Sequence, residues 1–222
     1  MTNQLGKVDL KNLDQKVLRT INELDILWPK KRDEVLFLAP YLKHEDYLIR
    51  SKAFFLAALF PHPALLPVIA QTAHEDQDEE FRLRAIEVLQ KLGTREALAE
   101  LAKLLTDPDP LIVRGSVVAM GGISSPEAVH IILEYASSPQ GRLVRPEVVQ
   151  EAVSLALGDL VDGEKLLKEL AAENSNIRRY LRNLNLKKPE IPHFTVYPSA
   201  DYFSLQAKKR GVNYRTYRYL IG

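Results

Sequence analysis

The sequence predicts an all-α protein, a right-handed solenoid of about five to six helical hairpins with a basic, aromatic C-terminal extension. Three observations predict it. An arginine recurs every 31 to 33 residues, apolar helical segments fill the intervals, and the composition changes at Lys187. The expected division is a solenoid over residues 1–186 and an extension over 187–222, the latter read as a short strand plus two short helices.

The register comes first. Segments 44–60, 76–93, 107–123 and 139–157 share one order: an acidic, Pro or Gly turn, an apolar residue, an arginine, then an apolar helix. The arginines are Arg50, Arg82, Arg114 and Arg145, and the phase extends outward to Arg19 and Arg178. The successive separations are 31, 32, 32, 31 and 33 residues. The fourth segment departs from the pattern, because Pro146 follows Arg145. Proline fits only the first turn of a helix, so that helix is expected to begin near Arg145 and to shift the stack locally.

Between the arginines lies a second apolar helix per period, at 33–42, 64–73, 96–105 and 128–136. In the third, Leu98, Leu101, Leu104 and Leu105 form a helical stripe; Val113, Val117 and Met120 do the same in its partner. The connections carry the expected breakers, including Gly93, Gly121–Gly122 and Asp107–Pro108. Gly115 lies inside an apolar helix, where close helix approach is the expected reason.

A single hairpin of this size cannot bury both apolar faces, so neighbours must stack. Acids just before each second helix cap free amides and meet the positive end of the helix dipole. An arginine one turn later can reach carbonyls and acids of the adjacent turn. Arg50, Arg82, Arg114 and Arg145 are therefore expected to staple one repeat to the next.

The stretch 93–133, with its DPLIVRGSVVAMGGI core, resembles the HEAT-repeat family in its short bacterial, phycobilisome-lyase-type form. The resemblance covers roughly residues 10–185. It implies an α-solenoid that binds a protein or peptide partner on its concave face as a scaffold or adaptor. It also implies an alternative, a subunit of a phycobilin lyase-like or phycobilisome-handling factor.

From Lys187 onward seven basic residues face two acids, giving +5, so the rest of the chain carries −4. Seven of the 16 Phe and Tyr residues fall here. Residues 187–193 read as a Pro-containing linker, 193–197 as a strand, and Ser199 and Asn213 as caps of two helices separated by Gly211. The spacing of Ala207, Gly211 and Tyr214 resembles ribbon-helix-helix antitoxins of the CopG or BrnA type. That resemblance implies a strand facing DNA through Thr195 and Tyr197, or through Phe194 and Val196 in the other register. On physical grounds, Lys208, Lys209, Arg210, Tyr214, Arg215, Tyr217 and Arg218 are candidate contacts to a partner or a nucleic acid, since cations meet phosphates and rings stack on bases. The alternative is an extension that folds back to cap apolar surface or to join copies.

Other features bound the function. With no cysteine, thiol nucleophiles and zinc-thiolate sites are excluded. The five histidines have no metal-binding spacing; His44 and His74 are expected at matching turn positions. The acidic run 75–80 lacks a calcium-loop pattern and reads as a solvated helix start. Trp28, followed by a basic run, is a candidate interface anchor. No catalytic constellation, cofactor motif, secretion signal or membrane span is read, so the expectation is a non-enzymatic, cytoplasmic protein.

Overall fold

One hydrogen-bond pattern builds the turn before the second helices that carry Arg50, Arg82 and Arg114. Asp46, Asp78 and Asp109 each accept from a backbone amide two residues on, at 2.9–3.0 Å, closing the first turn of the helix that follows. Their own amides donate back to His44, Asp76 and Asp107, each at 2.9 Å. Turns before first helices use hydroxyls instead: Thr94 and Ser125 accept from Ala97 and Ala128. The alternation of carboxylate and hydroxyl caps is the sequence period written as chemistry.

The computed structural model describes residues 14–27, 36–158, 160–184, 186, 195–199 and 201–221. Among them it is all-α, without a strand. The helices are α1 (Gln15–Leu27), α2 (Tyr47–Leu59), α3 (Leu66–Glu75), α4 (Glu79–Leu92), α5 (Arg95–Lys103), α6 (Pro110–Gly121), α7 (Pro126–Ser137), α8 (Pro146–Leu157), α9 (Gly163–Glu173), α10 (Ser175–Leu181), α11 (Tyr202–Lys209) and α12 (Tyr214–Ile221). Contacts divide the chain into two compact units. Met1–Val68 with Ala200–Gly222 form the first, and Ile69–Ser199 the second.

In the second unit α6 packs against both α4 and α8. Apart from Arg114 and Ser116 it is apolar, and it is buried from Gly115 through Gly121, as such a helix must be. A Cβ on Gly121 would stand 2.6 Å from Ala152 Cα, so glycine permits the α6–α8 approach. Gly93 ends α4 with φ 59°, the left-handed cap that glycine adopts without strain. Helix α8 begins at Pro146 with Arg145 as its cap residue, and α9 and α10 both pack on α7. In the first unit α1 and α12 both lie on α2.

Four expectations are corrected. Residues 36–43 form single 3-10 turns rather than an α-helix, because Pro40 lacks an amide and disfavours the helical region for Ala39. Residues 195–199 form no strand. Glu80 is not solvated: it is fully buried and accepts from Arg84 Nε and Nη2 at 2.9 and 2.7 Å. His74 lies in the last turn of α3 and meets Glu100 at 3.0 Å; the counterpart of His44 is Asp76.

Candidate functional site

The register arginines diverge in what they hold. Arg50 donates through Nε to Leu42 O at 3.0 Å, and Arg82 to Ala73 O at 2.9 Å. Arg178 does the same to Ala171 O at 2.6 Å. In each case the guanidinium reaches a carbonyl just before its own turn. Arg82 also bonds Asp107 in the turn of the next hairpin, an ion pair with both side chains largely buried. Arg145 occupies the N-cap position of α8 without a side-chain cap bond and is exposed.

Arg114 is turned to a different partner. Its Nη1 donates to the carbonyls of Thr195, Val196 and Tyr197 at 3.1, 3.3 and 3.4 Å. Three successive oxygens thus converge on one cationic nitrogen. Burial pushes the Arg114 guanidinium below its usual range, and the charge of Arg145 adds to this.

The rest of the seat comes from α4 and α6. Val196 is buried against Gly115, where an added Cβ would stand 3.5 Å from Val196 O and 3.6 Å from Val196 Cγ1. Leu83 on α4 would lie 3.0 Å from that same Cβ. One turn beyond Leu83, Glu87 accepts from the Tyr197 hydroxyl. Gly115 therefore serves two approaches, one from α4 and one from the segment at Val196. Sequence reasoning missed Leu83 and Glu87, since nothing local separates Glu87 from an ordinary solvated helix acid.

The absence of a strand has its cause here. Carbonyls of residues 195–197 are occupied by Arg114, and Thr195 Oγ1 turns back to Tyr197 O at 3.1 Å. Thr195 is exposed and Val196 is buried. The DNA-facing strand implied by the ribbon-helix-helix resemblance is not formed over the described residues; Phe194 lies outside them.

The other candidates of the extension lie in the first unit. Tyr217 is buried and stacks with Tyr47, Phe203 and Tyr214 at centroid separations of 5.9, 6.2 and 6.2 Å. Arg210 sits over the Tyr47 ring at 4.4 Å and donates to Gln206 Oε1 at 2.8 Å. Asn213 caps α12 through Arg215 N at 2.9 Å, whereas α11 starts without a side-chain cap bond at Asp201. Lys208, Lys209, Arg215 and Arg218 are exposed. So Arg210, Tyr214 and Tyr217 are engaged in packing, and the remaining cations face outward. Trp28 lies outside the described residues.

Charge is segregated between the units. The first holds 15 basic and nine acidic residues, for +6; the second holds 15 basic and 20 acidic, for −5. Among the described residues no group of three His, Asp or Glu is arranged to hold a metal, and no helix is long and apolar enough to cross a membrane.

A sequence model described as HEAT repeats matches residues 35–120 and, in a second register, 66–153, together more than half of the 222 residues. No curated protein and no solved structure matches the chain.

Proposed function

Because this chain belongs to the HEAT-repeat family, we propose that it is a non-catalytic scaffold or adaptor that binds a protein partner along its second helices. The sequence reading puts those helices on the concave side. One observation carries the proposal. The α4–α6 face of the second unit takes up a bent stretch of polypeptide, through main-chain carbonyls on Arg114 and one buried side chain. A face that accommodates one non-helical segment has the chemistry to accommodate another. The test is to capture a partner on the tagged full chain, purify it, and map the complex by amide exchange. A saturable complex that protects α4 and α6 supports the scaffold. Substrate turnover by the isolated chain, or protection confined to other helices, overturns it.

A second reading has its own observation. Lys208, Lys209, Arg215 and Arg218 are exposed on a segment, residues 202–222, that contains no acid, within a unit of net +6. That surface suits a phosphate backbone. It does not suit base stacking by Tyr217, whose ring is buried. Since α12 packs on α2, deleting the extension would expose α2 itself. Charge reversal at Lys208, Lys209 and Arg218 is the cleaner test. Salt-sensitive binding to random duplex DNA that disappears on reversal supports this reading, and unchanged binding or none rejects it.

A further inference from the structure

We propose that the α4–α6 face is a docking site for a bent partner segment carrying a β-branched residue, then tyrosine, then proline, and that residues 195–199 of the chain itself occupy it in cis. The inference deepens the scaffold reading and rests on it.

The seat has the parts of a recognition site. Arg114 reads three successive main-chain carbonyls, which a segment presents together only when it bends there. Selectivity then falls to two side chains. Val196 fills the space above Gly115, where a Cβ would crowd Leu83 Cδ2 and touch the segment's backbone. A β-branched residue fits because a γ-methyl reaches Gly115, and such a side chain is already restricted to few rotamers. Tyr197 then reaches Glu87, so the next position calls for a hydroxyl donor at the end of a rigid ring. Phenylalanine there would leave the carboxylate without that donor. Pro198 follows, exposed, and disfavours the helical region for the preceding residue.

The occupant is bound like a ligand. Its partners Arg114 and Glu87 are 81 and 110 residues away in sequence, so no local turn dictates the contact. It is preceded by a sequence with two prolines, Pro189 and Pro192, and no glycine. A partner carrying the same three-residue pattern meets the same donors and the same cleft, and competes with the chain's own copy at high effective concentration. An acidic unit of net −5 favours basic residues around the partner's pattern, as Lys187 and Lys188 precede the chain's own.

The experiment uses the full chain and a fluorescent peptide copying residues 193–200. Two released variants open the seat, Val196→Asp and the milder Tyr197→Phe. Folding is checked by helical circular dichroism and by the melting transition. Expected is weak binding of the peptide to the wild type, tightening by about tenfold or more in a released variant. Adding Arg114→Ala to the released variant should abolish the gain, and a scrambled peptide should not bind. The inference is overturned if folded released variants bind the peptide no better than wild type, or if binding ignores Arg114. That outcome leaves the scaffold reading standing, because partner capture and exchange mapping decide it separately. Loss of partner capture with peptide binding intact would instead remove the scaffold reading alone.

Discussion

The two units hold C-terminal residues by different physics. In the first, α11 and α12 are joined to the body by rings: Tyr217 stacks on Tyr47, Phe203 and Tyr214, while Tyr202, Leu220 and Ile221 are buried. Lys52, itself buried, donates to Ile221 O at 3.3 Å and pairs with Asp25 at 2.7 Å. In the second, five residues lie on α4 and α6 through one guanidinium, one phenol and one valine. The first is a hydrophobic core assembled from the two ends of the chain. The second is a small polar contact that another segment could replace. Area and dispersion make the one permanent, and hydrogen bonds that water or a competitor can substitute make the other exchangeable.

The largest effect should come from breaking the ring cluster. Tyr217→Ala removes a buried ring with three stacked neighbours, and large-to-small core changes of this kind cost about 3–5 kcal/mol. Urea unfolding should show a much lower midpoint, with loss of exchange protection in α2 and α12. If the loss is below about 1 kcal/mol, α12 is a loosely attached element and the contrast between the units collapses.

How far the sequence predicted these features depends on the range of the interactions. The hairpin register was legible because each repeat restates its turn locally: Asp46, Asp78 and Asp109 cap within a few residues of themselves. The two terminal helices and the cap at Asn213 were legible for the same reason. Residues 193–197 have the composition of a strand, yet the carbonyls of 195–197 go to Arg114, some eighty residues earlier, and no local pattern announces that. Glu80 sits in a run of acids whose average character is solvated, but helical phase turns it inward toward Arg84, one turn along. The glutamate–arginine spacing was visible; its burial was not. The candidate site is thus half legible: Arg114 stands out by register, whereas Leu83 and Glu87 acquire meaning only from the segment seated on them.

A middle-sized change measures the second contact directly. Val196→Ala removes two buried methyl groups, worth about 1–2 kcal/mol at roughly 0.8 kcal/mol per group. Less than this should appear in global stability, because the segment can leave its seat without unfolding α4 and α6. Exchange at the amides of residues 195–197 and 199 should rise while the unfolding midpoint barely moves. A drop in the midpoint as large as that of Tyr217→Ala would make the segment an integral part of the second unit and not a replaceable occupant.

The smallest effect is a pH dependence that should separate the units. Glu100 on α5 is partly buried, which alone would raise its carboxyl. Hydrogen bonds from Lys103 at 2.7 Å and His74 at 3.0 Å outweigh this and hold it below the ordinary carboxylate range. Exposed Glu96, at the start of the same helix, is also lowered, by its backbone amide and by the Thr94 hydroxyl. A depressed folded value means that the unfolded chain takes up the proton first. The stabilisation is therefore complete above the unfolded carboxylate range, about pH 4, and is lost as pH falls through the lower folded values. The ion-pair share for Glu100 should stay under about 1 kcal/mol, because its partners are in contact with solvent. Helices α11 and α12 carry no carboxylate between residues 202 and 221. Exchange protection, corrected for intrinsic rates, should fall in α5 on acidification while α12 stays level, and Glu100→Gln should flatten the response of α5. If α12 loosens before α5, carboxylate pairing does not set the acid sensitivity of the second unit, and the difference between the two units must be sought in their packing alone.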